Sequence, residues 1–434
     1  MVLRLNQTSA DFDARFGDFI GQDRNDGADV HDVVRRVIDD VRQRGVYALV
    51  DYTSKFDNFD LTDDTIAVSA EEIDDAIASC DAGDVDALRF AADRIRTYHE
   101  KQLPSDVRYT DDAGATLGWR WTSVDAAGLY APGGRAAYPS SVLMNAIPAK
   151  VAGVSRLALV TPAPGGEMKP LVLAAAKQAG IDEIYRIGGA QAIAALAFGA
   201  GPIAPVDVIV GPGNAYVAEA KRQVFGHVGI DSVAGPSEIL VVADGKNDPD
   251  WIAADLLSQA EHDPSSQSVL ITDDRHFADK VIACVKAQLG DSARREIAEA
   301  AWEKNSAVIV VKDLSQAPAI IDKIAPEHLE LAVDNPEALL TKIRHAGAIF
   351  LGRYTPEAVG DYVAGPDHVL PTAQAARYAS GLSVLDFMKR TSIIGCDENA
   401  LGRIGPAAAR LADAEGLPSH AASVRVRLKK QQPE

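Results

Sequence analysis

Asp207-Val208-Ile209-Val210-Gly211-Pro212-Gly213-Asn214-Ala215-Tyr216-Val217-Ala218 decides the fold. A short run rich in β-branched residues stops at a Gly/Pro turn, and an Ala-rich run with helical spacing continues to 225. Strand, glycine turn, helix is the repeating unit of a parallel α/β sheet. The same unit occurs three times upstream. The run at 128–131 enters Pro132-Gly133-Gly134 and an apolar helix. The run at 156–160 enters a Pro/Gly loop and a helix at 170–179. The run at 183–187 enters Gly188-Gly189 and a helix from 190.

Working outward, Gly235-Pro236-Ser237 interrupts the series, and a second one follows. Its strands fall at 239–243, 269–272, 307–311, 329–333 and 348–351, with helices between. The similar rhythm suggests a duplicated α/β unit. Residues 1–120 are mainly helical in pattern, over 29–53 and 70–102, although Trp119-Arg120-Trp121 alternates like a strand. After 381 the composition is helical and charged again. The expected class is α/β: two Rossmann-like parallel-sheet domains with helical N-terminal and C-terminal segments. The expected division is an arm at 1–25, a discontinuous first α/β domain at 26–127 and 237–381, a second at 128–236, and a C-terminal segment at 382–434 that packs on a neighbouring subunit.

A chain of 434 residues, 47% hydrophobic and 24% charged, has the texture of a globular protein with sizeable cores. Its net charge of −19 argues against nucleic-acid and anionic-membrane partners, which need a basic footprint. Cys80, Cys284 and Cys396 are distant and never in a C-x-x-C pair, so a disulfide framework or thiolate zinc site is not expected. Together with an N-terminus lacking an apolar signal region, this points to the cytoplasm. The most apolar stretch, 190–210, is broken by Gly201, Pro202, Pro205 and Asp207 and does not read as a membrane span.

Ligands in parallel sheets bind at the carboxyl ends of strands. Those ends carry Tyr130, Gly188-Gly189 followed by Gln191, and Gly211-Pro212-Gly213-Asn214. The last turn opens a helix, so its N–H groups suit a phosphate. It is not the dinucleotide fingerprint, because Tyr216 stands where a third glycine belongs. A tight turn that simply needs glycine reads equally well. Gln259 and His262, three apart at the end of a helical run, present an oxygen and an imidazole one turn apart, half of a metal site. A helix end with a histidine at its negative pole is the plainer reading. Glu327-His328 sits between a helix and a strand; a carboxylate and an imidazole are the pair an oxidation through a hydrated aldehyde needs, although from the dipeptide alone a solvent-exposed helix-to-strand turn is the plainer reading. Asp361, His368 and His420 are further donors scattered along the chain, each with an ordinary surface or capping alternative.

The chain resembles the histidinol dehydrogenase family. The carriers are GLYAPGGRAAYPSSVLMNAIPAKVAG (128–153), IGGAQAIAALAFG (187–199), VIVGPGNAYVAEAKRQVFG (208–226), DSVAGPSEILVVAD (231–244), LSQAEHDPSSQSVLIT (257–272), APEHLEL (325–331), VGDYVAGPDHVLPT (359–372) and EGLPSHAASVRVR (415–427), spread over nearly the full length. The resemblance implies a two-step oxidation of L-histidinol to L-histidine with two NAD⁺, as the last step of histidine biosynthesis. It implies one Zn²⁺ per subunit on Gln259, His262, Asp361 and His420, with Glu327 and His328 catalytic. Ser237, His368 and Glu415 match further substrate contacts, alongside Gln259, His262, His328, Asp361 and His420; Tyr130, Gln191 and Asn214 match cofactor contacts. It also implies a homodimer whose active site is shared, with Glu415 and His420 serving the other subunit. One departure is Asp367, where asparagine is expected more often.

Other readings remain at this stage. A related zinc- and NAD-dependent dehydrogenase would act on another small polyfunctional alcohol, but Glu327, His328 and Glu415 stand in the biosynthetic pattern. A zinc hydrolase would leave the cofactor-loop residues unexplained. A silent binding protein would be expected to have lost Glu327 or His328.

Overall fold

A computed structural model of the chain describes residues 2–22, 24, 30–62, 64–133, 138–181, 183–233 and 235–428. The expected helix start at 29, Gly134 of the first turn and the polar end at 429–434 lie outside these residues. The chain divides into two units: Met1–Gln102 with Asp125–Phe387, and Leu103–Val124 with Met388–Glu434.

The first unit contains two all-parallel sheets. The larger has the strand order Leu3–Asn6, Ala307–Val310, Gln267–Thr272, Glu238–Ala243, His328–Ala332, Ala348–Leu351. Its central strands are buried along their whole length because helices cover both faces. The period of two shows directly. Ile239, Val241 and Ala243 join Leu256 and Val281 in one core, while Leu240 and Val242 join Phe16 and Ile321 in the other. The smaller sheet has the order Glu183–Tyr185, Arg156–Val160, Ala126–Tyr130, Val208–Val210, Gly229–Ile230. The α/β class with two parallel sheets and helical terminal segments therefore holds.

Four details differ from the sequence expectation. Leu3–Asn6, placed in an arm, is an edge strand of the larger sheet, pairing with Ala307–Val310. The helical stretch grouped with 237–381 shares its core with the smaller sheet instead: Val34, Val37, Ile38, Val41 and Leu49 pack with Ile193, Val217 and Ile209. An apolar stripe says that a helix has a face to bury, but not against which sheet. That stretch is also two helices, His31–Arg44 and Val46–Asp57, because Gly45 (φ 59°) breaks it. Finally, Met388–Gly395, expected as helix, is a strand. In the second unit it pairs antiparallel with Thr116–Ser123, which also pairs with Val107–Thr110. Its Arg390 guanidinium lies 6.0 Å from the ring centroids of both Trp119 and Trp121, a cross-strand arrangement that favours this pairing over a helix. Helices Glu398–Ala414 and Pro418–Leu428 complete that unit.

The turn that opened the sequence analysis is held by a buried clamp. Gly211 has φ 117°, and a Cβ there would lie 2.1 Å from the Tyr130 carbonyl oxygen, so only glycine fits. Its N–H donates to Asp231 Oδ2 (2.8 Å), and its carbonyl accepts from Lys221 Nζ (2.9 Å). Lys221 and Asp231 pair with each other, their side chains only 2% and 4% exposed. Among the described residues, no helix is long and apolar enough to cross a membrane.

Candidate active site

Where the helix Pro249–Ala260 ends, Gln259 is fully buried, and His262 follows in the next turn at the surface. The His262 N–H donates to the Gln259 carbonyl (3.1 Å), so the two residues stay one turn apart although the helix has stopped. The Arg294 side chain donates to the Glu261 and His262 carbonyls (2.8 and 3.3 Å), satisfying the exposed helix end.

Glu327 and His328 enter from a strained turn. Helix Ala317–Ile324 ends at Ala325, which has φ 49° ahead of Pro326 and turns the chain into the strand beginning at His328. His328 stands beside Ile239 in the sheet register. Its Nδ1 lies 2.9 Å from the Glu238 carbonyl. A carbonyl only accepts, so Nδ1 carries the proton and Nε2 is the other ring nitrogen, buried without a hydrogen bond among the described residues. The backbone N–H of Glu238 donates to Glu327 Oε2 (2.8 Å), which lies 3.6 Å from His328 Nδ1.

Asp361 and Glu357 lie four apart on the short helix Glu357–Tyr362, hence on one face. Both approach His328 Nε2, Asp361 Oδ1 at 3.5 Å and Glu357 Oε1 at 3.9 Å. Side-chain atoms of His328, Glu357 and Asp361 lie within 4.8 Å of one another, a geometry able to hold a metal ion. His368 has Nδ1 2.9 Å from the Asp361 carbonyl and Nε2 3.1 Å from Ser141 Oγ. Its neutral form, protonated on Nδ1, fits both contacts.

Ser237, Gln259, His262, Glu327, His328, Asp361, His368 and Asn214 line one cleft of about 270 Å³. They come from opposite strand ends: Ser237, Glu327 and His328 stand at the amino edge of the larger sheet, and Asn214 at the carboxyl edge of the smaller one. Tyr130 and Gln191 do not line the cleft. Tyr130 is buried, its hydroxyl accepting from the Gly189 N–H (3.1 Å), and Gln191 is buried on the following helix. Asn214 caps its helix, Oδ1 accepting from the N–H groups of Tyr216 and Val217 (both 3.1 Å). Glu415 and His420 belong to the second unit, both exposed, one at the end of Glu398–Ala414 and the other on Pro418–Leu428.

Burial dominates the electrostatics of the cleft. It raises the Glu327 pKa to about 7, opposed by His328 and by the Glu238 N–H. It raises Glu357 to about 8, reinforced by Asp361. For His328 burial opposes the charge, but Glu327, Asp361 and Glu357 outweigh it and raise the pKa to about 10. For Asp361 burial again opposes the charge, and the neighbouring His328 and His368 hold it below the usual carboxylate range. Sequence reasoning missed Glu357 and the buried Glu330 behind it. Two signals were available: a glutamate one turn before Asp361, and a charge inside the otherwise apolar strand run 328–332.

Asp367, the residue that departs from the expected pattern, is buried. Its Oδ1 accepts from the Val369 N–H (2.8 Å), but Oδ2 has no hydrogen-bond partner among the described residues. Burial raises its pKa well above the usual range, and Asp386 and Asp231 add to the shift. A carboxyl whose folded pKa exceeds its unfolded one gives stability that is full below the unfolded value and is lost as pH rises toward the folded value. Asp367→Asn should therefore gain on the native chain by up to about 1.4 kcal/mol per pH unit across that window. Melting temperatures of both proteins from pH 4 to 8 check this; parallel curves would contradict it.

A buried carboxylate, an imidazole of fixed tautomer, and oxygen and nitrogen donors across a small cleft define an α/β enzyme equipped for acid–base chemistry, with side chains able to hold a cation. Residues 21–428 match the family described as histidinol dehydrogenase. The chain is 61% identical to the histidinol dehydrogenase of Rhodospirillum rubrum over 99% of both chains. It is 59% identical to that of Caulobacter vibrioides over 96% of this chain and 97% of the relative. The crystal structure of histidinol dehydrogenase from Elizabethkingia anophelis superposes with a TM-score of 0.94 at 37% identity, covering 99% of this chain and 98% of that one. The chain belongs to the histidinol dehydrogenase family, a family of NAD-dependent oxidoreductases.

Proposed function

We propose that the protein oxidises L-histidinol to L-histidine through L-histidinaldehyde, delivering two hydrides in turn to NAD⁺, as the last step of histidine biosynthesis in the cytoplasm. The observation that carries this is His328: its Nδ1–H is committed to the Glu238 carbonyl, which leaves Nε2 as the nitrogen for an alcohol proton, beside a buried Glu327. A zinc ion suits the donors of the cleft. Gln259 Oε1 is buried with no hydrogen-bond partner among the described residues, Asp361 is held as a carboxylate, and His262 adds an imidazole. We assign Gln259, His262 and Asp361 to the metal, with His420 supplied from a second copy of the chain. Bound there, the metal would anchor the substrate through its imidazole and amine and offset the carboxylate field that otherwise keeps His328 protonated.

His328 Nε2 takes the alcohol proton as hydride leaves carbon in the first step. Glu327 then takes a proton from the water that attacks the aldehyde, and its raised pKa suits a base working near neutral pH. Ser237, His368 and, from a second copy, Glu415 hold the substrate. The cofactor falls to Tyr130, Gln191 and Asn214; the hold of Tyr130 on the Gly189 N–H and the capping by Asn214 set the two turns that would receive it. The exposure of Leu411 and Val426 on the two C-terminal helices, and of Leu417 between them, supports a homodimer in which those helices are covered.

The test is a direct assay. Metal-replete protein with NAD⁺ and L-histidinol should yield about two NADH per histidinol, with loss of turnover on chelation and return with zinc. No NADH from histidinol would end this reading. Gln259→Ala and His420→Ala should each lower bound zinc by about 10-fold or more, although the two residues lie in different units of the chain.

A further inference from the structure

We propose that Glu357 is a positioning residue for the metal donor Gln259: it fixes the carboxamide so that Oε1, and not the amide nitrogen, faces the cleft. The proposal rests on the reading of Gln259 as a zinc ligand. A glutamine amide is nearly symmetric in shape, and its two ends differ only in hydrogen bonding. An amide turned the wrong way would present N–H groups to a cation. Something must therefore select the orientation.

Glu357 is placed to do so. It is 2% exposed, and its Oε1 accepts from Gln259 Nε2 at 2.6 Å. That contact takes the nitrogen end, and Oε1 of Gln259 is left as a buried acceptor with no partner among the described residues. Glu357 is itself held at three points. Its Oε2 accepts from Ser258 Oγ (2.9 Å), its backbone N–H donates to Glu330 Oε1 (2.7 Å), and it begins the helix that carries Asp361 one turn later. One residue thus ties the helix bearing Gln259 to the helix bearing Asp361. A partner of this kind behind a metal ligand sets ligand orientation and affinity.

Glu357 also lies 3.9 Å from His328 Nε2, so ligation by Glu357 itself is the competing role. Two substitutions separate them. Glu357→Gln keeps an oxygen acceptor for Gln259 Nε2, and its new amide can donate to Ser258 Oγ once that hydroxyl turns its proton from residue 357 to the Asp255 carbonyl, 2.7 Å away. Glu357→Leu keeps the bulk and removes the acceptor. Zinc affinity of the full-length dimer, measured by competition with a chromophoric chelator, should fall about 10- to 100-fold in Glu357→Leu and stay within about 3-fold of wild type in Glu357→Gln. Circular dichroism melts show whether each variant is folded. Should Glu357→Leu unfold, Glu357→Gln still decides: a loss as large as that of Gln259→Ala would make Glu357 a ligand and overturn the positioning role. Unchanged affinity in a folded Glu357→Leu would overturn it too. Gln259→Ala is the control, since unchanged zinc affinity there defeats the metal reading itself.

Discussion

Replacing His328 with asparagine should lower kcat for histidinol oxidation by about 10²- to 10⁴-fold, the range for loss of a general base. Asparagine can still donate a hydrogen bond to the Glu238 carbonyl, which now lies 2.9 Å from Nδ1. The fold at the start of the strand is preserved, and what disappears is the nitrogen facing the cleft. The loss should fall on the first oxidation, read as the first NADH in a single turnover. Glu327→Gln should behave differently. Its amide can keep an oxygen on the Glu238 N–H but takes no proton from water, so the second NADH should be slowed more than the first. The ascending limb of the wild-type pH profile for acid formation near pH 7, where burial places the Glu327 pKa, should vanish with it. Equal slowing of both steps by either variant would refute this division of roles.

Asp231→Ala should destabilise the native chain by about 3–5 kcal/mol, the cost of stranding one charge of a buried pair. Lys221 is 2% exposed and, among the described residues, would keep only the Gly211 carbonyl as a partner. Gly211 would lose the acceptor of its N–H at a position where φ is 117° and no side chain fits. Lys221→Met combined with Asp231→Leu should recover most of the loss, because removing both charges costs far less than removing one. Denaturant unfolding measures both. A single variant within about 1 kcal/mol of wild type would show that the pair is not sealed from water.

The inner strands of both parallel sheets were legible because their signals are local, whereas the edge strands Leu3–Asn6 and Gly229–Ile230 were not. The runs 207–210 and 239–243 are too short and too apolar for anything but buried strands, and each is closed by glycine or a polar turn. The strand Met388–Gly395 was not legible, because its reason lies across the sheet in Trp119 and Trp121. Gln259 and His262 were visible as a pair one turn apart, but nothing near them in sequence raised them above a helix end. Glu357 stayed hidden because a glutamate in a surface-like Pro-Glu-Ala run gives no local sign that it will be 2% exposed against a glutamine 98 residues away.

By itself the sequence determined the class of fold, the succession of inner strands, turns and helices of the two parallel sheets, and, through its motifs, the family. Those depend on periodicity, on turn chemistry and on the order of residues. Only the tertiary structure decided which strand edges meet at the cleft, the amino edge of the larger sheet and the carboxyl edge of the smaller. It alone set the tautomer of His328, the end of Gln259 that faces inward, and the partner that holds it there. These are contacts between residues about 90 or more apart. Burial then fixes their charge states, and burial belongs to packing rather than to any stretch of sequence.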